Sequence, residues 1–196
     1  MFFMGAENMG NKGSKSKNRI LEVSRTLFAK KGFSAVSMQD ICTATELSRG
    51  GLYRYFGSTE EIFIAIIEEE QSNALSNYER AKALGVSPEI MLSYFVRSRI
   101  NQLTETDSFE NAISEFAANS EKGREILQKR AVTSVDITAR MIEEGCDKGV
   151  FSCDNPKAAA TQILWVLEGM SKHNALLPLT AEDISEQEKL LEKLLH

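Results

Sequence analysis

Residues 37–56, SMQDICTATELSRGGLYRYF, set the fold. Ser37 can cap a first short helix whose apolar positions Met38, Ile41 and Cys42 share one face. Ser48 can cap a second, anchored inward by Leu52 and Phe56, with a polar turn ahead of it. Two short helices joined this way form a helix-turn-helix. The second helix offers Arg49, Gly50, Gly51, Tyr53, Arg54 and Tyr55 outward. Arginines can reach guanine edges or phosphates, phenols can donate to phosphate oxygens, and glycines let the backbone approach a groove wall. Capped helix pairs also occur in helical proteins that never meet DNA, so the flanks carry the argument further.

Upstream, RILEVSRTLFAKKGF (residues 19–33) places Ile20, Leu21, Ser24, Leu27 and Phe28 at helical spacing and stops at Gly32, a common residue just past a helix end. Downstream, Ser58-Thr59-Glu60-Glu61 is a capping-box pattern opening a helix through Ile62, Phe63, Ile66 and Ile67. The spacing predicts three helices packed round the motif as a compact head.

With its flanks, ILEVSRTLFAKKGFSAVSMQDI followed by LSRGGLYRYFGSTEEIF resembles the amino-terminal domain of the TetR (tetracycline-repressor) family of bacterial transcription regulators. The resemblance covers roughly residues 14–74, with the helix-turn-helix at 37–56, and leaves 75–196 as a ligand-binding and dimerisation body. The chain departs at Thr45-Glu46, Gly51 and Thr59, where the family often has Ala-Gly, threonine and lysine. The resemblance implies a dimeric repressor on a double-stranded, near-palindromic operator, with no cofactor and no catalytic residue. Phosphate contacts would come from Lys15, Lys17 and Arg19 on an amino-terminal arm, with Ser37, Gln39, Tyr53 and Tyr55; Ser48, Arg49, Gly50, Gly51 and Arg54 belong to the base-reading helix. An effector bound in the body would shift the helix beginning at Ser58 and change the spacing of the heads.

Charge supports an oriented DNA binder. The 196 residues carry a net charge of −5, yet Gly10–Gly57 holds nine basic against three acidic side chains, and Ser58 onward fourteen against twenty-four. A basic head on an acidic body neutralises phosphates at one end only. No run approaches the ~20 apolar residues of a membrane span, and MFFMGAENMG lacks the basic start and apolar core of a signal peptide, so the sequence is read as cytoplasmic. Cys42, Cys146 and Cys153 match no paired zinc-ligand spacing, and His173 and His196 stand apart from any carboxylate or thiol motif. Neither a metal site nor a nucleophile-base pair is assembled, which argues against an enzyme; a redox pair of Cys146 and Cys153 is conceivable.

Beyond the head the pattern stays helical, and the fold class is all-α. Helix starts are marked at Ser87-Pro88, Asp107 with Glu110, Ser120, Asp154-Asn155-Pro156 and Thr180 with Asp183; the last helix carries Leu190, Leu191, Leu194 and Leu195. The helix from Pro156 is apolar over most of its circumference (Ile163, Leu164, Trp165, Val166, Leu167), a surplus that a homodimer interface would absorb. Met91, Tyr94, Phe95, Arg99, Phe116, Met141 and Trp165 could line a cavity for an apolar anionic effector, although the same residue types equally build a core. A helical protein-binding adaptor that has lost DNA binding is the alternative reading; it predicts salt-insensitive behaviour on DNA.

Overall fold

The computed structural model describes residues 6–103, 109–193 and 195. Among these the chain is all-helical: α1 Ala6–Lys31, α2 Met38–Thr45, α3 Arg49–Tyr53, α4 Thr59–Ala83, α5 Pro88–Leu103, α6 Phe109–Asn119, α7 Glu121–Asp147, α8 Pro156–Leu176 and α9 Ala181–Lys193. Most of the expected starts are built as caps. Ser120 Oγ accepts from the Gly123 N–H at 3.1 Å, Asn155 Oδ1 from Ala158 at 3.0 Å, and Thr180 and Asp183 exchange bonds at 3.1 and 2.8 Å. At α4 the reciprocity is offset. Ser58 Oγ accepts from the Glu61 N–H, but the Glu61 carboxylate accepts from Gly57 at 2.6 Å, one residue before the cap. Asp107, Leu194 and His196 lie outside the described residues.

Two compact units divide the chain: Met1–Glu70 with Asp107–Leu127, and Gln71–Thr106 with Gln128–His196. The first gathers α6 into the head. Its core holds Ile20, Phe28, Ile41, Leu52, Ile62 and Phe63, joined by Phe109, Ile113 and Phe116. Phe63 meets Phe28 edge-on at 4.8 Å and lies 5.0 and 5.1 Å from Phe109 and Phe116, while Phe33 and Phe116 are 4.6 Å apart. Such ring pairs add about 0.5–1.5 kcal/mol beyond the area they bury. Phe116, a candidate for the effector cavity, is therefore a core residue of the head.

In the second unit α5, α7, α8 and α9 enclose Leu92, Val96, Ile100, Ile142, Phe151, Ile163, Leu167 and Leu191. Gly145 is required there, since a Cβ would stand 2.1 Å from the Phe151 ring. A smaller cluster joins Tyr78, Met91, Ile137 and Met141. Leu164 and Leu167 are buried within the chain itself, so the apolar surplus expected on α8 reduces to Trp165, 66% exposed, and the exposed Leu176 at the helix end.

Two sequence expectations are corrected. Lys15, Lys17 and Arg19 do not form an arm; α1 begins at Ala6 and carries them as helix. The second helix of the motif stops at Tyr53 rather than near Phe56. The Tyr55 N–H turns back to Leu52 O at 2.9 Å, an i→i+3 closure that drops Phe56 into the core.

Candidate DNA-recognition surface

The surface is built on two caps. Ser37 and Asp40 form a full capping box at the start of α2: Asp40 N–H donates to Ser37 Oγ at 3.2 Å and Ser37 N–H to Asp40 Oδ2 at 2.9 Å, with the Ser37 hydroxyl also on that carboxylate. Asp40 receives Lys31 Nζ at 2.8 Å as well. The hydrogen bond from Lys31, followed by those from Ser37, holds the Asp40 carboxyl well below the usual carboxylate range. Ser37 is thus committed to the cap, whereas Gln39, two residues along, stays exposed.

The turn into α3 rests on Glu46. This residue ends α2 in the left-handed region (φ 59°, ψ 27°) and its N–H reaches Thr43 O at 3.4 Å. A side chain there costs up to about 1 kcal/mol net against glycine. Arg19 lies 3.9 Å from its carboxylate, with both side chains solvent-exposed. Thr45, its predecessor, is buried and donates to Ile41 O at 2.6 Å.

Ser48 caps α3 by accepting from the Gly51 N–H at 3.2 Å, so Ser48 and Gly51 are structural. A Cβ on Gly51 would press on Ser48 Oγ at 3.2 Å; at Gly50 it would meet nothing within 4 Å. Leu52 is fully buried, and the turn around it leaves Arg49, Gly50, Tyr53 (50% exposed) and Arg54 on the outside. Tyr55 is half-buried. Arg54 donates to its hydroxyl at 2.9 Å with the guanidinium 5.0 Å from its ring. Hydrogen bonds to Ser16 first and Arg54 second make this phenol more acidic than usual. The α1 extension is held by the same face: besides Ser16 on Tyr55, Lys17 Nζ stands 5.7 Å from the Phe56 ring. Lys15, Lys17 and Arg19 are all exposed on α1, Lys15 and Arg19 sharing one side of the helix and Lys17 another.

One contributor had no local signal. Glu115 of α6 accepts from the Phe33 N–H at 2.7 Å and the Ser34 N–H at 3.2 Å, fastening the turn that precedes α2. Gly32 suits that turn through its φ of +81°, and a Cβ there would lie 2.6 Å from Glu115 Oε2 and displace that carboxylate. The Ser34 side chain, followed by the Phe33 and Ser34 backbone, lowers the Glu115 carboxyl below its usual range against the opposing effect of burial.

The effector candidates do not converge. Met91 and Met141 share the small cluster with Tyr78, Phe95 packs half-buried on the larger core of the second unit, and Tyr94 and Trp165 are exposed. Arg99 stands 3.4 Å from Gln102. Cys146 Sγ lies 3.9 Å from the Cys153 carbonyl, and all three cysteines are free thiols. Among the described residues no group of three or more metal-ligating side chains gathers, and no helix is long and apolar enough to cross a membrane.

Known proteins share this arrangement. The model of the family described as "Bacterial regulatory proteins, tetR family" matches residues 20–66, from the middle of α1 into α4. The uncharacterized HTH-type transcriptional regulator YfiR of Bacillus subtilis is 30% identical over 170 residues, 83% of this chain and 80% of its own length. The HTH-type transcriptional regulator UidR of Escherichia coli is 26% identical over 184 residues, 92% and 90% of the two chains. The solved structure of Salmonella enterica GusR superposes with a TM-score of 0.68 at 26% identity, covering 92% of this chain and 95% of that one. With a capped helix pair, an outward Arg49–Arg54 face and relatives matched along nearly their whole length, the chain belongs to the TetR family of DNA-binding transcription regulators.

Proposed function

We propose that the protein is a dimeric repressor that lays α3 of each head into the major groove of a near-palindromic operator and is released by a small-molecule effector. The observation that carries this is the outward face of α3. The caps and the core consume Ser37, Ser48, Gly51, Leu52 and Phe56, and leave Arg49, Gly50, Tyr53 and Arg54 exposed. Arg49 and Gly50 are the base-reading positions. Tyr53, Tyr55, Gln39, Lys15, Lys17 and Arg19 contact phosphate, and Tyr55 also accepts from Arg54 and so holds that guanidinium in place. Two heads related by a two-fold axis would read half-sites centred about 34–36 Å apart or a multiple of that turn.

Dimerisation is supported by the exposed stripe Trp165, Gly169, Lys172 and Leu176 on α8, which recurs at one face of the helix; a Cβ on Gly169 would meet nothing within 4 Å. Effector coupling is supported by Glu115. A displacement of α6 would act directly on Phe33 and Ser34, ahead of α2. A coupling of about 1–3 kcal/mol changes operator affinity several-fold to a hundredfold.

The test is operator affinity as a function of salt, on a site selected from random DNA. A repressor reading its operator shows a steep negative slope, about 0.9 per phosphate neutralised, and a large gap to nonspecific DNA. A shallow slope with no preferred sequence favours the protein-binding adaptor. Sedimentation as a monomer at micromolar concentration removes the dimer and the palindrome together.

A further inference from the structure

The second unit contains a groove of about 390 Å³ between α5, α8 and α9, apart from the effector candidates read in the sequence. Small-molecule sites commonly span ~300–1,000 Å³. Its floor is apolar, made by Leu92, Val96, Phe151, Ile163, Leu191 and Leu195. Its rim carries Glu89 and Arg97 from α5, and Glu188, Lys189 and Lys193 from α9, with Ser93 between them.

Among the described residues the rim charges are not paired with one another. Elsewhere the chain pairs Arg25 with Glu70, Lys31 with Asp40, Lys82 with Glu144 and Lys157 with Asp136. Among the described residues none of the five rim groups has an ion-pair partner within 4 Å. Arg97 and Glu89 are eight positions apart on α5, which sets their backbones about 12 Å apart along the helix. Lys189 and Lys193 are one turn apart on α9 and lie on one side of it. The rim therefore carries an excess of one positive charge and a lysine pair over an apolar floor. At one end of the wall Leu195 is buried and its carbonyl accepts from the Ser152 N–H at 2.8 Å.

We propose that this groove binds an amphipathic anion, an alkyl chain or apolar ring system ending in a single carboxylate, and that this ligand is the effector. The apolar part lies on Leu92, Val96 and Ile163, and the carboxylate is held by Lys189, Lys193 and Arg97. This rests on the reading of the protein as an effector-released regulator, and names the place and chemical class of the effector.

The probe is dodecanoate below its micellar concentration, set against dodecan-1-ol and dodecyltrimethylammonium, with binding to the full chain read by calorimetry and melting in the absence of DNA. Dodecanoate should raise the melting temperature and bind at least about tenfold more tightly than either analogue, the difference one charge-assisted contact makes. Ser93→Trp fills the groove and should abolish binding. Lys189→Glu, at a rim position outside the apolar floor, should weaken it about tenfold or more. The inference is overturned if the ammonium analogue binds as tightly as the carboxylate, if Lys189→Glu binds dodecanoate like the wild type, or if bound dodecanoate leaves operator affinity unchanged. Failure of the ligand-free chain to bind any operator would instead overturn the regulator reading, and is scored in the separate DNA titration.

Discussion

The two units solve opposite problems with similar helices. The first locks itself: phenylalanine ring pairs knit α1, α4 and α6, and Glu115, Asp40 and Ser48 close the turns on either side of the recognition elements. In the second unit a largely aliphatic core leaves Trp165, Leu176, Leu177 and Leu190 in solvent and an open groove between three helices. Among the described residues Gln71 Nε2 and the fully buried Thr138 Oγ1 find no partner there, and Ser24 Oγ of the first unit is in the same state. A surface that must match a rigid duplex to within an ångström needs over-determined packing, whereas an open groove and exposed apolar side chains need none.

The widest gap between the units should appear on truncating aromatics. Phe63→Ala removes the ring that touches Phe28, Phe33, Phe109 and Phe116, and should cost about 3–5 kcal/mol in chemical denaturation. Trp165→Ala should leave the stability of an isolated subunit within about 0.5 kcal/mol, and weaken self-association as read by sedimentation. Equal losses of subunit stability would erase the distinction.

Next in size is the α6 fastening. Glu115→Gln should destabilise the head by about 1–3 kcal/mol through weakened bonds to two amides. Because the folded carboxyl titrates below its unfolded value, its contribution is complete above that unfolded value, around pH 4.3, and disappears as pH falls through the lowered folded one. The gap between wild type and variant should therefore be constant at neutral pH and close in acid. A gap that persists unchanged at pH 2 would remove the carboxylate from this role.

Of similar size, but felt only on DNA, is Arg49→Ala. If Arg49 reads guanine, it should cost about 1–3 kcal/mol on the selected operator and much less on random DNA, whereas Tyr53→Phe should weaken both alike. Equal shifts for Arg49 on both DNAs would move it to the phosphates.

The smallest effects fall within the head itself. Glu46→Gly should relieve the left-handed backbone and raise stability by up to about 1 kcal/mol. Gly50→Ala should also stabilise α3, by up to about 1 kcal/mol, because a Cβ there meets nothing, yet should weaken operator binding if the backbone approaches the groove wall at this position. A gain in stability with DNA affinity unchanged would take Gly50 out of the interface.

The features legible in the sequence are those whose causes lie within four residues. Ser37 with Asp40, Ser48 with Gly51, Ser120 with Gly123, Asn155 with Ala158 and Thr180 with Asp183 are each closed by side chain to backbone bonds at i+3, and a hydrophobic period needs only a few turns to show. What failed to read was contact between distant segments. Phe116 looks like Phe95 in a helical pattern, and only packing against Phe33 and Phe63 assigns it to the head. Leu164 and Trp165 are neighbours on one apolar helix, and nothing local says that the first turns inward and the second out. The shape of α3 misled for a related reason: the aromatic run through Phe56 continues the periodicity, but burying Phe56 beside Leu52 tightens the chain after Tyr53.

Residue order alone specifies the helices, most of their caps, the split between a basic head and an acidic body, and a set of candidate DNA contacts, because short-range sterics, capping and charge are written in adjacent positions. Only the folded chain shows that Glu115 of α6 fastens the turn ahead of α2, that Arg54 donates to Tyr55, and that charged side chains ring an apolar groove between α5, α8 and α9. Those facts depend on which surfaces meet across tens of residues. Burial energy sets that choice collectively and no single stretch encodes it.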